Sequence, residues 1–201
     1  MHNLAATFVL GYHGCTREIG YTLLKNEPFK PSENDYDWLG SGVYFWEANP
    51  DRALDWARRG SPSDPSGFDA FAEPFVVGAV IDLGFCLDLI STNGIRALDD
   101  SFSRLQAFLV ASGSKIPQNT GGEDRLHRKL DCMVLNFLHQ SRSKSGQLPF
   151  DSVRAVFTEG EPLYPSSGFR RKTHIQICVR NQECIKGVFR VPGHHFSGAD
   201  S

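Results

Sequence analysis

Residues 34–57, NDYDWLGSGVYFWEANPDRALDWA, decide the fold of this chain and contain all three of its tryptophans. Two glycines, Gly40 and Gly42, come just before the apolar run VYF at 43–45. Glycines at that spacing allow a tight turn or the close approach of a ligand. The run after them is typical of a short strand, and its aromatic side chains offer flat faces that bury much area at little cost in entropy. The stretch therefore predicts a loop followed by a strand that carries Tyr44.

The same stretch then predicts a helix. Asn49 supplies a side-chain oxygen that caps a helix, and Pro50 suits the first helical position. Asp51 favours the positive end of the helix dipole. An apolar face follows at Ala53, Leu54, Trp56 and Ala57. The order is loop, strand and helix, so Tyr44 is expected where the strand leads into the helix.

Composition and length set the class of protein. The chain has 201 residues, of which 40% are hydrophobic and 22% charged, which is typical of a soluble globular protein and predicts a single domain over residues 1–201. A net charge of −2 excludes a strongly basic surface for non-specific nucleic-acid binding, although local basic patches remain open. No apolar run approaches the length of a membrane span, and no signal peptide is evident. We expect a cytoplasmic protein that does not contact a membrane, or cargo delivered by a route the sequence does not show.

The cysteines predict neither a disulfide framework nor a metal site. There are five, at positions 15, 86, 132, 178 and 184, and none lies at the close spacing of metal ligands. An odd number in apolar surroundings favours reduced thiols. We expect no bound metal.

Hydrophobic periodicity predicts an α+β domain. Continuous or alternating apolar runs indicate strands over residues 5–12, 75–83, 153–158, 172–179 and 185–191. Helical spacing indicates helices over residues 15–25, 98–111 and 124–140. Strands at both ends with helices between them favour α+β over a regularly alternating parallel fold. The polar segment 59–67, RGSPSDPSG, is expected to be a loop that forms a mobile flap.

Three short motifs occur along the chain, and their order carries information about function. His13 and Gly14 end the first predicted strand, Gly42-Val43-Tyr44-Phe45 begins the next, and the strand THIQICV lies near the end of the chain. Taken alone, His13 is better explained as a surface histidine in a turn, and period-2 alternation alone predicts Gln176 as an outward polar residue of a strand. Together, the motifs resemble the ADP-ribosyltransferases of the diphtheria-toxin and poly(ADP-ribose) polymerase type. The resemblance is to a small single-domain bacterial or phage-related member.

The resemblance implies two packed antiparallel or mixed β-sheets, flanked by helices around a cleft for NAD. It implies that NAD is a co-substrate that loses nicotinamide and leaves an oxocarbenium-like ribose. His13 would bond the adenosine-side ribose or the amide region, and Gly14 would pair with the carboxamide. Tyr44 would stack on the nicotinamide ring, with Trp56 as the opposite face. Gly42 and Phe45 complete the implied NAD-binding set.

The chain departs from the family at Gln176, where members most often have glutamate. A neutral amide keeps the hydrogen bonds of a carboxylate but not its charge, which can cost a few kcal/mol in the transition state. Three interpretations stay open. The protein is a mono-ADP-ribosyltransferase in which Gln176 orients the ribose and the acceptor or another carboxylate, Glu159 or Glu161, supplies charge. Alternatively, it only binds NAD or ADP-ribose, or it shares the fold alone and serves as an interaction protein or catalyses another reaction.

The loop before the third motif is where this family usually recognises its acceptor. Here it carries an aromatic and basic set, Tyr164, Phe169, Arg170 and Arg171. Aromatic rings beside arginines suit unpaired bases and phosphates, so RNA or single-stranded DNA is one acceptor. An acidic protein surface fits the same residues equally well. The resemblance also implies a toxin or phage-defence role, with an antitoxin as a partner.

Overall fold

The computed structural model describes residues 8–59 and 73–196. Within them the strands are β1 (Phe8–Thr16), β2 (Val43–Glu47), β3 (Pro74–Asp82), β4 (Cys86–Asp88), β5 (Ser152–Phe157), β6 (His174–Val179) and β7 (Ile185–Arg190). The α-helices are α1 (Arg17–Leu23), α2 (Pro50–Arg59), α3 (Thr92–Ala111) and α4 (Lys129–Lys144). Two short 3-10 turns follow β6 and β7, at Gln182–Cys184 and Gly193–His195.

The described strands form one sheet of seven, in the order β4-β5-β6-β2-β1-β3-β7. Only β4 and β5 are parallel neighbours, and every other pair is antiparallel. The α+β prediction is confirmed. The expectation of two packed sheets is wrong for these residues, because pairing between β1 and β2 joins the two halves into one sheet.

The join between β1 and β2 is narrow. Only Gly11 with Glu47 and Tyr12 with Trp46 are paired across it. Beyond that point β1 continues beside β3 as far as Thr16, whereas residues 43–45 of β2 pair with β6. The sheet therefore forks, with His13 just inside the opening on one branch and Tyr44 on the other.

Helix α2 covers the fork and begins as the sequence predicts. Asn49 caps it by accepting a hydrogen bond from the backbone N–H of Arg52 at 3.0 Å. Ala53 and Ala57 are fully buried against the sheet. A Cβ on Gly14 would overlap the carbonyl oxygen of Ala53, so glycine at position 14 lets α2 lie directly on β1.

Some predicted boundaries differ from the structure. Strand β1 runs through His13 and Gly14 instead of ending at them. Helix α4 begins at Lys129 instead of residue 124, because Thr120 and His127 form a β-bridge and Arg125 has a φ of +49°, which a helix cannot contain. Of the predicted flap 59–67, Arg59 is the last residue of α2, and residues 60–67 lie outside the described residues.

Two large clusters of buried side chains pack on the two faces of the sheet. One contains Phe45, Val77, Ile81 and Ile177, and the other contains Leu39, Leu135, Val153 and Phe157. Helices α3 and α4 pack together and cover the second face near β4 and β5. In the described part of the chain, no helix is both long and apolar enough to cross a membrane.

Candidate functional site

The fork opens into a cleft with a volume of about 320 Å³. That volume lies at the lower end of the range of about 300 to 1,000 Å³ that is usual for small-molecule sites. The structure brings all seven residues predicted for catalysis and NAD binding to its wall: His13, Gly14, Gly42, Tyr44, Phe45, Trp56 and Gln176. These residues come from β1, β2, α2, β6 and the loop before β2, so the folded chain collects them from three distant segments of sequence.

His13 is held at the mouth of the fork by the strand opposite. Its Nδ1 lies 2.9 Å from the carbonyl oxygen of Tyr44. A carbonyl only accepts, so Nδ1 carries the proton and donates. Burial lowers the pKa of His13, and the neutral ring therefore has an unprotonated Nε2. A ring in this tautomer can accept a hydrogen bond from a ligand hydroxyl.

Tyr44 presents a ring whose hydroxyl is already engaged. The hydroxyl donates to the carbonyl of Gly40 at 2.6 Å and accepts from the N–H of Leu39 at 2.8 Å. Burial raises the pKa of Tyr44 well above its ordinary value, so the hydroxyl stays protonated. The two bonds fix the ring from its far end. Tyr44 can thus offer a rigid aromatic face, while its hydroxyl is committed to the loop that precedes β2.

The other predicted NAD-binding residues differ in what they offer a ligand. Phe45 is fully buried, and its ring packs against His13 and Phe29, so it supports the histidine from behind. Gly42 is required for packing, because a Cβ there would lie 2.5 Å from Sγ of Cys178. Trp56 is half-buried, with its ring centroid 5.7 Å from that of Trp46. The partly exposed aromatic rings that line the cleft are those of Tyr36, Trp38, Tyr44 and Trp56.

Gln176 lies on β6 beside β2, paired in register with Trp46. It is 8% exposed, and its Nε2 lies 3.1 Å from Nε2 of His174. His174 is itself buried, and its Nδ1 lies 2.7 Å from the carbonyl oxygen of Lys172. Burial lowers the pKa of His174, so its ring is neutral. The amide at position 176 is therefore bonded to a partner on its own strand.

Glu159 and Glu161, the two candidate carboxylates, occupy different environments. Glu159 follows β5, is 3% exposed and lines the cleft. Its Oε2 accepts from Nη2 of Arg52 at 2.9 Å and lies 3.4 Å from Nδ1 of His174. Glu161 is exposed and does not line the cleft. Of the two, only Glu159 can act on a ligand in the cleft, and Arg52 already balances its charge.

A stack of rings and a cation supports this end of the cleft. The ring of Trp38 stacks on His174 with centroids 6.4 Å apart. The guanidinium of Arg128 lies 4.2 Å from the centroid of Trp38 and 4.8 Å from that of Phe157. Cation–π contacts of this kind contribute about 0.5 to 2 kcal/mol. The stack fixes the plane of the His174 ring, and with it the nitrogen that meets Gln176.

The four residues predicted to recognise an acceptor lie outside the cleft, on a hairpin over residues 159–172. Backbone bonds from Lys172 N to Glu159 O and from Arg171 N to Glu161 O close its base. Tyr164 and Phe169 are 58% and 68% exposed at its tip. Arg170 instead points back, bonding Glu123 at 2.6 Å and the carbonyl of Gly160 at 2.9 Å. Arg171 is exposed, and it also donates to the carbonyl of Leu163.

Three further residues that line or support the cleft were not predicted from the sequence, namely Arg52, His174 and Arg128. Arg52 lies in the first turn of α2, within the stretch that decides the fold. Its charge next to the helix cap is visible in the sequence, so Arg52 could have been identified as a candidate. His174 is two residues before Gln176, so the alternation of a strand places both on one face. Nothing in the local sequence indicated that Arg128 would reach Trp38.

The described residues offer neither a metal-binding group nor a disulfide. Their His, Cys, Asp and Glu side chains form no group of three or more that could hold a metal ion. The five cysteines, all within the described ranges, are unpaired. Burial raises the pKa of Cys15 and of Cys178 to about 12, so both remain thiols at neutral pH and are poor nucleophiles.

Comparisons with known proteins leave the family open. No model of a known protein family matches the sequence. Uncharacterized protein MJ0359 of Methanocaldococcus jannaschii is 23% identical over 203 residues, which cover 87% of this chain and 83% of that protein. No solved structure matches. The similarity to MJ0359 spans most of both chains and assigns no activity to this one.

Proposed function

We propose that this protein is a mono-ADP-ribosyltransferase that cleaves NAD at the nicotinamide–ribose bond and transfers ADP-ribose to a macromolecule. The observation that carries the proposal is the meeting of His13, Tyr44 and Gln176 at one cleft, from three strands that the sequence separates by up to about 160 residues. The motifs that contain these residues resemble those of ADP-ribosyltransferases. The geometry of the fork supports the proposal independently.

The cleft suits the nicotinamide end of NAD. Its aromatic wall offers faces to the positively charged pyridinium ring, a contact that contributes about 0.5 to 2 kcal/mol. The neutral His13 offers Nε2 to a ribose hydroxyl, and Gln176 lies across the fork from it. A cleft of about 320 Å³ is sized for the nicotinamide and its ribose, with the rest of the dinucleotide extending along the opening.

In the proposed reaction, the bond between the ribose carbon and the pyridinium nitrogen breaks, and its electron pair stays with neutral nicotinamide. The residual ribose bears oxocarbenium character and is attacked by a nucleophilic atom of the acceptor, which then loses its proton. Tyr44 orients the departing ring, while His13 and Gln176 hold the ribose. The exposed aromatic tip of the hairpin 159–172 contacts the acceptor, which is RNA, single-stranded DNA or protein.

One observation favours a second candidate, a module that binds NAD or ADP-ribose without turnover. The two carboxylates that line the cleft are both engaged. Glu159 is paired with Arg52, and Asp37 accepts from the backbone N–H of Asn34 at 2.9 Å. With glutamine at position 176, no carboxylate of residues 8–59 and 73–196 that lines the cleft carries a charge free of these contacts. Such a site binds a cationic ring through its aromatic wall but stabilises developing charge less well.

Nicotinamide release separates the two candidates. Purified protein is incubated with NAD and, in turn, total cellular RNA, single-stranded DNA and cell extract, beside Tyr44→Ala and Gln176→Ala variants. A transferase releases nicotinamide with one acceptor and loses that release with Tyr44→Ala. A binding module shows no release, but NAD raises its melting temperature because the ligand binds only the folded state. The absence of both effects would contradict the proposal and the alternative alike.

A further inference from the structure

The orientation of the Gln176 amide is fixed by the tautomer of His174. Nδ1 of His174 lies 2.7 Å from the carbonyl oxygen of Lys172, which can only accept, so the proton of the neutral ring is on Nδ1. Its Nε2 then has a lone pair and no hydrogen. The group of Gln176 that lies 3.1 Å away must be a donor, and of its two polar atoms only the amide nitrogen donates.

It follows that Oε1 of Gln176 is turned away from His174. In residues 8–59 and 73–196, Oε1 has no hydrogen bond with a side chain or backbone donor, while Gln176 itself lines the cleft. A ribose hydroxyl needs an acceptor there, because it donates its proton to the group that orients it. The opposite orientation would place the amide nitrogen in the cleft, where it could only donate.

We propose that His174 is a positioning residue that turns the Gln176 amide so that its oxygen, and not its nitrogen, faces the ligand. This proposal rests on the transferase function. A carboxylate can accept a hydrogen bond on either of its two oxygens, and the orientation set by His174 gives glutamine the same acceptor role. The surroundings maintain the arrangement. Glu159 lies 3.4 Å from Nδ1, and Trp38 stacks on the ring.

A double-mutant cycle tests this role against a merely structural one. We expect His174→Ala to lower kcat for nicotinamide release about thirtyfold, with the KM for NAD within about twofold, because the amide loses its preferred orientation. In a Gln176→Glu background the same change should cost less than about threefold, because a carboxylate presents an acceptor whichever way it turns. Equal losses in the two backgrounds would overturn the proposal.

A control and a second measurement complete the test. His139 is also buried, at 4% exposed, but lies outside the cleft beside Phe150, so His139→Leu should leave kcat unchanged. The tautomer of His174 is read directly from the ¹⁵N shifts of its ring in labelled wild-type protein. A proton on Nε2 would overturn the positioning role. Absence of nicotinamide release from wild type and Gln176→Glu would overturn only the transferase function, since the tautomer is measured without turnover.

Discussion

The cleft wall and the tip of the hairpin 159–172 differ in how their side chains are held. In the wall, His13, Tyr44 and Gln176 each have a polar partner at 3.1 Å or less. At the tip, Tyr164 and Phe169 are more than half exposed, and none of the buried clusters formed by residues 8–59 and 73–196 includes them. Yet both regions belong to one segment, because Glu159 begins the hairpin and lines the cleft. The proposed ligand site and the proposed acceptor surface are thus only a few residues apart in the sequence.

The largest expected effect is at the base of the hairpin. Glu159→Ala leaves Arg52 with a buried charge that has lost this partner, and we expect it to lower the free energy of unfolding by about 3 to 5 kcal/mol. The measurement is urea denaturation followed by tryptophan fluorescence. Glu161→Ala is the matched control, two residues along and exposed, and should change stability by less than about 0.5 kcal/mol. Similar values for the two variants would show that the hairpin base is not part of the wall.

A smaller effect is expected where α2 meets β1. Gly14→Ala places a Cβ against the carbonyl oxygen of Ala53, which belongs to the backbone and cannot rotate away. We expect a loss of about 1 to 3 kcal/mol in the free energy of unfolding, as for other overpacked sites. Gly187→Ala on β7 is the control, because a Cβ there meets no atom within 4 Å. Comparable denaturation midpoints would refute the steric explanation.

Acid should lower the free energy of unfolding through groups in the cleft wall and not through the hairpin tip. Burial lowers the pKa of both His13 and His174, so the unfolded chain takes up protons below about pH 6.5 before the folded chain does. The contribution of these two histidines to the free energy of unfolding is fully present above that pH and falls as the pH drops towards their folded-state pKa values. The slope reaches about 1.4 kcal/mol per pH unit for each histidine.

The third buried histidine must be removed to isolate this effect. Burial lowers the pKa of His139 to about 3, and neither of its ring nitrogens has a hydrogen-bond partner in the described structure. His139→Leu should therefore raise stability by about 1 to 2 kcal/mol at pH 7 and by more at pH 5. Acid sensitivity that persists in this variant, measured by urea denaturation at pH 7 and pH 5, belongs to the cleft. A flat profile would contradict the neutral state of His13 and His174.

The smallest effect on stability is expected at the tip. The double variant Tyr164→Ser, Phe169→Ser removes exposed rings and should change the free energy of unfolding by less than about 0.5 kcal/mol. Labelling of the acceptor by NAD should fall about tenfold or more, since stacked aromatic contacts contribute about 1 to 3 kcal/mol each. Release of nicotinamide to water should not change. An unaltered labelling rate would exclude the tip from acceptor recognition.

Residues of the decisive stretch were largely predictable because their signals are local. The cap at Asn49, the strand at Tyr44 and the helix after Pro50 follow from side-chain chemistry within a few positions. The start of α4 was predicted five residues too early. Its apolar spacing is helical from residue 126, but the bridge between Thr120 and His127 holds those residues in another conformation.

What the sequence could not predict depends on contacts between distant segments. The pairing of Arg52 with Glu159 joins residues 107 positions apart. The fork depends on where β1 and β2 stop pairing, and no single residue marks that point. The motifs predicted His13, Tyr44 and Gln176. The hydrogen bond from Gln176 to His174 was not predictable, because the plane of the His174 ring depends on Trp38 and Arg128, which lie on other segments of the chain.

The order of strands in the sheet determines when the site can exist during synthesis. Strand β2 lies between β1, which precedes it in the sequence, and β6, made after residue 173. A ribosome-bound chain that has extended only to residue 150 has β2 without its β6 neighbour and without Gln176. Such long-range pairing forms slowly and leaves an open strand edge in the meantime. The nascent protein therefore has no complete cleft until β6 is made, so the proposed activity appears only after residue 179 has been translated.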